Sequence, residues 1–485
     1  MDITFKSGLE VAGLIASGEM SSLDATRAYL QRIEEVEPRV NAYINVYAEA
    51  ARERAGEIDR RKAAGEGAGP VAGVPIAIKD VLSTRGFNTT CGSRMLENFV
   101  PVYDATAVER LNAAGTVMLG KANMDEFAMC SSTENSYFGP TRNPWDLDRV
   151  PGGSSGGSAA AISAGEAPWA LWSDTGGSIR QPAALCGIVG MKPTYGLVSR
   201  FGLVAYANSL EQIGPLTHTV EDTALLMEII AGHDWRDTTS AEKGSYLAGL
   251  KDDVCGLKIG IPKEYFGEGV NKEVEKAVWD AVSKLENLGA KWQEVSLPHT
   301  RYALAAYYVI AMSEASSNLA RFDGLRYGLR QLGEDKDWHT TFSEIRSKGF
   351  GPEVKKRILL GTYALSAGYY GRYYLKALKV RTLIKEDFLR AFKDVDLLAS
   401  PTMPIPAFKI GERINDPLSL YMADVFTVPI NLAGVPAVSV PCGFAGRLPI
   451  GLQLMGPHFG EATVLRAAHA FEAATPFHER MPEVV

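Results

Sequence analysis

The chain has 485 residues, of which 22% are charged, and its formal net charge is −7. This composition is that of an ordinary globular protein. No long basic stripe is present, so the chain is not expected to provide the main binding surface for a nucleic acid. The five cysteines are odd in number and form no Cys-x-x-Cys pair. That pattern argues against a disulfide framework or a zinc site and favours a reducing compartment.

Neither a signal peptide nor a membrane span is expected. Residues 1–20 contain no long apolar run after a basic start, as a signal peptide would. The longest uncharged stretch, residues 425–446, could span a bilayer by length. It contains Pro429, Pro436 and Pro441, each of which would interrupt a helix. We therefore predict buried strands and turns in this stretch.

The predicted elements divide a single domain, residues 1–485, into four segments. Residues 1–65 are predicted to be an N-terminal helical segment. Residues 66–235 alternate apolar strands, such as VPIAIK and TVMLGK, with helices, which is typical of an α/β core with a sheet and flanking helices. Residues 240–395 are predicted to be a mainly helical insertion with two short strands. Residues 396–485 are expected to return the chain to the core sheet.

Two glycine-flanked serine sites lie within residues 151–187, in the segments GGSSGG and DTGGS. Glycines allow sharp turns and close approach of the backbone to a ligand. A serine on such a turn combines an exposed hydroxyl with nearby backbone N–H groups, and nucleophilic catalysis needs this combination. We therefore expect the stretch to hold a serine nucleophile, its oxyanion hole and a proton-shuttling serine.

The two sites are unequal candidates for the nucleophile. GGSSGG matches the G-x-S-x-G elbow around Ser154, but that elbow requires a strand running directly into the serine, and the preceding NPWDLDRVP is turn-like. Ser178 has the better context, because an apolar run leads into its tight turn. The N–H groups of Thr175, Gly176, Gly177 and Ser178 are predicted to form the oxyanion hole.

Two kinds of base could take the proton of the serine. None of the seven histidines lies near either site in sequence, although a histidine could approach in space. Lys79 ends an apolar strand, where burial would lower the pKa of its ammonium group and let it act as a base. The alternative is a buried lysine paired with Asp80 or with a backbone carbonyl, and the residues alone do not decide between these two roles.

The segments GVPIAIKD, GGSSGGSAAA and SDTGGSIRQPA together resemble the amidase signature family, and the resemblance extends across nearly the whole chain. It implies the amidase-signature fold, an α/β fold in which a central mixed β-sheet is flanked by α-helices on both faces. Matched residue by residue, it makes Ser178 the nucleophile, Ser154 the bridging serine and Lys79 the base. It also implies a cis peptide bond between Gly153 and Ser154. Ser155 is either a supporting hydrogen-bond partner or purely structural.

Within this family the chain is most similar to the A subunits of aspartyl/glutamyl-tRNA amidotransferases, through NPWDLDRVPGGSSGGSAAA, SLEQIGPLT, RILLGTYALSAGYY and DVFTVPINLAGVPAVSVPCG. The similarity implies glutamine hydrolysis and transfer of ammonia to a complex with B and C subunits, where misacylated Glu-tRNA(Gln), and in some complexes Asp-tRNA(Asn), is amidated. ATP and Mg²⁺ are then expected on the partner subunit, tRNA binding mainly through the partner, and no cofactor or metal in this chain. A stand-alone amidase acting on another small amide is the alternative.

The same similarity assigns glutamine recognition to Arg357 and Asp424. A guanidinium can clamp an α-carboxylate, and a carboxylate can pair with an α-ammonium group. From the residues alone, Arg357 beside Lys355 and Lys356 would be interpreted as a charge on a helix surface.

Three residues depart from the family pattern. Trp172 stands where glycine is usual, Gly371 where the tRNA-dependent branch usually has aspartate, and Glu211 where SLDQIGP would have aspartate. None of these positions carries a group assigned to catalysis.

Overall fold

The computed structural model describes residues 2–67, 69–326, 328–330 and 336–483. The two ends of the predicted domain, Met1 and residues 484–485, lie outside the described residues, as do residue 68 of the loop, residue 327 and residues 331–335.

The described part of the chain contains strands in all four predicted segments. In chain order the strands are β1 Tyr43–Val46, β2 Pro75–Lys79, β3 Val117–Ala122, β4 Trp169–Asp174, β5 Val189–Lys192, β6 Gln212–Thr217, β7 Lys258–Pro262, β8 Lys291–Val295, β9 Leu397–Pro401, β10 Ala437–Ala445 and β11 Leu448–Met455.

The α-helices surround these strands. In chain order they are α1 Gly8–Ser17, α2 Ser22–Val40, α3 Ala48–Ala63, α4 Thr106–Ala114, α5 Gly156–Ser163, α6 Arg180–Cys186, α7 Val220–Ile230, α8 Lys272–Asn287, α9 Ala303–Asn318, α10 Trp338–Gly349, α11 Pro352–Leu365, α12 Tyr374–Ala391, α13 Pro417–Met422, α14 Val428–Ala433 and α15 Glu461–Ala473. None of the helices in the described ranges is long and apolar enough to cross a membrane.

The strands form one mixed sheet in the order β1-β3-β2-β4-β6-β5-β10-β11-β9-β7-β8. Strands β3, β2 and β4 are parallel, whereas β4, β6, β5, β10, β11 and β9 alternate in direction. The segment 240–395 supplies β7 and β8 at one edge of this sheet, besides its helices. A single sheet therefore connects all four segments.

Helices cover both faces of the sheet, as the strand alternation shows. Side chains of successive strand residues point to opposite faces. In β2, Ile76 and Ile78 belong to one buried cluster and Ala77 to another. In β4, Trp169 and Leu171 belong to the first cluster and Ala170 to the second. The predicted α/β fold, a mixed sheet between two helical layers, is confirmed.

Two local predictions are corrected in part. The N-terminal segment contains the expected helices, but Tyr43–Val46, between α2 and α3, forms edge strand β1 and pairs with β3. Most of residues 425–446 are buried and Ala437–Ala445 is a strand, as expected, but Val428–Ala433 is a short helix rather than a strand. Pro429 occupies its first turn, where a proline is tolerated because the N–H it lacks would be unpaired anyway.

Candidate active site

The site lies where β2 and β4 end. These strands are parallel neighbours, with Ile78 opposite Leu171, so their carboxyl ends meet at the same edge of the sheet. Lys79 is the last residue of β2, and Ser173 and Asp174 close β4. Such edges are the usual ligand-binding positions of α/β sheets.

Lys79 is fully buried and contacts three serine hydroxyls. Its Nζ lies 3.0 Å from Ser154 Oγ, 2.5 Å from Ser155 Oγ and 3.1 Å from Ser173 Oγ. Burial lowers the pKa of Lys79 to about 7, and the nearby carboxylates only partly oppose that effect. Much of this lysine is therefore neutral at physiological pH and able to accept a proton.

Asp80 does not pair with Lys79, contrary to the alternative left open by the sequence. Its carboxylate accepts hydrogen bonds from Thr90 N and Thr90 Oγ1 and lies 3.7 Å from the ammonium group of Lys121. Because Lys121 supplies the cation for Asp80, the Lys79 amine is left to the serines.

Ser154 is held in place by a loop with no room for side chains at its glycines. The Gly153–Ser154 peptide bond is cis, as the family resemblance predicted. A Cβ on Gly153 would lie 2.4 Å from the backbone nitrogen of Ser132 and from a carboxylate oxygen of Asp125. The Ser154 carbonyl accepts the backbone N–H of Asp125 at 3.0 Å. These contacts fix the loop that holds Ser154 within hydrogen-bond distance of Lys79.

Asp174 shapes the turn that leads to Ser178. Its carboxylate accepts the backbone N–H groups of Gly177 and Ile179 at 2.8 and 3.2 Å. It also forms a fully buried ion pair with Arg180, at 3.1 Å, and accepts Asn431 Nδ2 at 2.8 Å. Burial alone would raise the pKa of Asp174, but Arg180 holds it below its usual value. A charged aspartate therefore fixes both ends of the turn.

The predicted oxyanion hole is changed by this arrangement. The N–H of Gly177 is already donated to Asp174, so it is not free to receive an oxyanion. Within the described ranges, the N–H groups of Thr175, Gly176 and Ser178 have no acceptor. Gly177 instead provides backbone geometry, because its φ of +138° is one that side chains disfavour. The assignment of the hole to the other three residues stays a prediction.

Arg357 is not a surface charge. It lies on α11 with only 2% of its surface exposed. Its Nε donates to Glu353 Oε1 at 2.7 Å and its Nη1 to the Tyr206 hydroxyl at 2.7 Å. Its buried Nη2 has no hydrogen-bond partner among the described residues. The guanidinium thus offers a free, desolvated donor.

Asp424 lies between α13 and α14 and is also buried. Its carboxylate accepts Ser131 Oγ at 2.6 Å, Gln181 Nε2 at 2.8 Å and the Tyr308 hydroxyl at 2.5 Å. Burial raises the pKa of Asp424 above its usual value. Gln181 belongs to α6, the helix that begins two residues after Ser178, so Asp424 is bonded to the element that follows the candidate nucleophile.

Tyr308 contacts both Arg357 and Asp424, the two residues predicted to recognise glutamine. Its hydroxyl contacts Asp424, and the Arg357 guanidinium lies 5.3 Å from its ring centroid. One aromatic side chain therefore contacts a carboxylate through its hydroxyl and a guanidinium through its ring, in a buried setting. This arrangement is complementary to the ammonium and carboxylate groups of an α-amino acid.

A sequence model of the Amidase family matches residues 24–465. The chain belongs to the amidase family. Over 486 residues it is 60% identical to the A subunit of glutamyl-tRNA(Gln) amidotransferase from Carboxydothermus hydrogenoformans, covering 100% of both chains. It is 62% identical to the protein of the same name from Methanosarcina mazei, over 96% of each chain. The crystal structure of the Thermotoga maritima protein of that name matches with a TM-score of 0.84 and 45% identity, covering 100% of this chain and 99% of the other.

Trp172, which stands where the family usually has glycine, is buried in the core beside small residues. It is opposite Gly214 of β6 and shares a buried cluster with Ala159 and Ala160 of α5. Its indole N–H has no acceptor in the described part of the structure, and we have no physical account of that unpaired group.

The other two departures also leave the catalytic groups intact. Glu211 is buried and accepts the backbone N–H groups of Tyr206 and Ala207 at 3.1 and 3.3 Å, so the longer carboxylate is accommodated. Gly371 lies on an exposed loop, and a Cβ there would meet no atom within 4 Å among the described residues.

Proposed function

We propose that this chain is the glutamine-hydrolysing A subunit of an aspartyl/glutamyl-tRNA amidotransferase. The observation that carries the proposal is the buried Lys79 amine in contact with Ser154, in a chain 60% identical to a protein of that name. The buried pair of Arg357 and Asp424 supports an amino acid amide as the substrate, since each residue is complementary to one charged group of glutamine.

The proposed reaction begins with proton transfer to neutral Lys79. A neutral amine has two N–H groups and one lone pair, so one of its three serine neighbours must donate to it. We assign that donor to Ser154, which in turn takes the proton of Ser178. The Ser178 Oγ then bonds to the amide carbon of glutamine, and the carbonyl electrons move to oxygen. The N–H groups of Thr175, Gly176 and Ser178 receive this oxyanion, in a role whose loss typically lowers rates by about 10²–10³-fold.

Collapse of the intermediate breaks the carbon–nitrogen bond. Protonated Lys79 returns its proton through Ser154 to the leaving nitrogen, which departs as ammonia. The product on the enzyme is a glutamyl ester of Ser178. Water then attacks the ester while Lys79 takes the water proton through Ser154. The same relay returns the proton to Ser178 Oγ as the carbon–oxygen bond breaks, which releases glutamate and restores the Ser178 hydroxyl.

The wider assembly belongs to the same proposal. The relatives are named as subunits of an amidotransferase, so this chain is proposed to act in a multi-subunit enzyme with B and C subunits in the cytoplasm. ATP, Mg²⁺ and the main tRNA contacts are assigned to the partner. The net charge of −7 suits a protein that supplies ammonia and leaves most of the polyanion binding to others.

The test is a glutaminase assay on the purified chain, alone and with its partner subunits. Glutamate and ammonia should form in equal amounts, faster with the partners, and Ser178→Ala should abolish the reaction. Ser17→Ala is the matched control, because Ser17 is an exposed serine on α1 and its replacement should leave the rate unchanged.

Two results would contradict the proposal. Full activity of Ser178→Ala would remove the nucleophile assignment. Rapid hydrolysis of other small amides, without turnover of glutamine even in the presence of the partners, would favour the stand-alone amidase.

A further inference from the structure

Glu353 lies directly behind the Arg357 guanidinium. The two residues are one helical turn apart on α11, and Arg357 Nε donates to Glu353 Oε1 at 2.7 Å. The same oxygen accepts the Tyr421 hydroxyl at 2.8 Å. The other carboxylate oxygen pairs with the ammonium group of Lys356. Only 11% of the Glu353 side chain is exposed, so this small network is largely dry.

The hydrogen bonds of Arg357 determine which edge of the guanidinium is available. A guanidinium has five N–H donors: one on Nε and two on each of Nη1 and Nη2. Glu353 takes the donor on Nε, and Tyr206 takes one on Nη1. One donor on Nη1 and both on Nη2 remain, and Nη2 has no partner among the described residues. The free edge is therefore the one formed by Nη1 and Nη2.

The charges around Glu353 allow it to hold Arg357 without cancelling it. Burial alone would raise the pKa of Glu353, but Arg357 and Lys356 hold it below its usual value, so its carboxylate is ionised at neutral pH. The three residues together carry one net positive charge. That charge remains to attract an anionic group at the Nη1–Nη2 edge.

We propose that Glu353 is a positioning residue for substrate recognition: it blocks the Nε edge of Arg357 and directs the Nη1–Nη2 edge toward the α-carboxylate of glutamine. This inference rests on the proposed glutaminase function. It adds a second carboxylate to the recognition site, one that acts on the substrate only through Arg357.

The experiment compares glutamine with γ-aminobutyramide, which keeps the amino group and the amide but lacks the α-carboxylate. Wild type, Glu353→Gln and Glu353→Ala are assayed as full chains with their partner subunits. With glutamine as the substrate, KM should rise about tenfold or more in both variants, the change expected when one hydrogen bond to a charged group is weakened. The rise should be larger in Glu353→Ala than in Glu353→Gln. kcat should change much less. For γ-aminobutyramide, kcat/KM should be the same in all three proteins.

Glu344→Gln is the matched control, because it makes the same change in charge on neighbouring helix α10. Glu344 pairs with Lys336 and Lys348 at the surface, and this variant should keep the wild-type KM. Thermal unfolding of each variant identifies any that fails to fold, and Glu353→Gln, which keeps the size of the side chain, remains informative if Glu353→Ala does not fold.

Three outcomes separate the possibilities. An unchanged KM for glutamine in both Glu353 variants would overturn the positioning role. An equal loss of kcat/KM for both amides would also overturn it, because it would show a general disturbance of the site. A wild-type complex that hydrolyses no glutamine would instead contradict the proposed function itself.

Discussion

The lowered pKa of Lys79 predicts a specific pH dependence for glutamine hydrolysis. Only neutral Lys79 can accept the serine proton, and burial places its pKa at about 7. The neutral fraction is then roughly 0.9 at about pH 8 and 0.1 at about pH 6, so kcat/KM should fall about tenfold between them. A lysine with an ordinary pKa would give a rate that still rises about tenfold per pH unit above about pH 8.

The lowered pKa of Lys79 also predicts how the free energy of unfolding depends on pH, and this prediction does not depend on the glutaminase assay. At any pH at which Lys79 is protonated in the unfolded chain, burying it lowers the stability of the folded protein. This penalty is fully present below the folded pKa of about 7 and fades toward the ordinary lysine value of 10.5. The penalty amounts to roughly 4 kcal/mol at about pH 7 and to less than about 1 kcal/mol at about pH 10.

Lys79→Met removes this penalty and serves as the reference protein. The hydrogen bonds that it loses to serines do not titrate in this range. Therefore the free energy of unfolding of wild type, relative to the variant, should rise by about 3–4 kcal/mol between about pH 7 and pH 10. Denaturant unfolding of both proteins measures this difference. A pH-independent difference, together with a pH–rate profile that has no inflection near 7, would refute the assignment of Lys79 as the base.

Two further predictions concern the residues around Lys79 and the nucleophile. Ser154→Ala should lower kcat by about 10²-fold or more because the proton relay is broken, whereas Ser155→Ala should have a much smaller effect; steady-state kinetics with equal losses in both would contradict separate roles. Asp174→Asn should lower the free energy of unfolding by about 3–5 kcal/mol, because it leaves buried Arg180 without its counter-ion. Asp280→Asn, which breaks an exposed ion pair with Lys276, should lower the free energy of unfolding by only about 0–1 kcal/mol. Denaturant titrations measure both losses, and equal losses would show that the buried pair of Asp174 and Arg180 does not stabilise the fold.

The sequence identified the strand-end lysine and the two serine turns because their chemistry is local. Lys79 follows a run of buried strand residues, and the glycines beside Ser154 and Ser178 mark backbone that must turn tightly. The sequence could not show which acceptor receives each backbone N–H of the turn. Asp174 removes the Gly177 N–H from the predicted oxyanion hole, and only the folded turn reveals that hydrogen bond.

Arg357 had a signal in the sequence that its basic neighbours obscured. Val354, Arg357, Gly361 and Ala364 are spaced at helical intervals, and all four are buried on α11. This periodicity places position 357 on the inner face of the helix, although Lys355 and Lys356 suggest a solvated surface. Glu353 had a weaker signal, because a glutamate one turn before an arginine is a common helix pair, and only its burial shows that it is more.

Trp172 shows a limit of a different kind. Its place in β4 fits the apolar run at the start of WALWSD, but its fit in the core depends on the alanines of α5 that belong to the same buried cluster. Such complementarity arises between elements that are distant in sequence and cannot be read from either one alone.

The central claim is that Ser178 forms a covalent glutamyl ester. Mixing the complex with glutamine, quenching in acid within one turnover and mapping peptides by mass spectrometry tests it directly. The peptide that contains Ser178 should gain the mass of one glutamyl group, and the adduct should be absent from Ser178→Ala and should disappear when the glutamine is exhausted. A glutamyl adduct on another residue would contradict the account. Glutamine turnover without an adduct on Ser178 at any quench time would also contradict it.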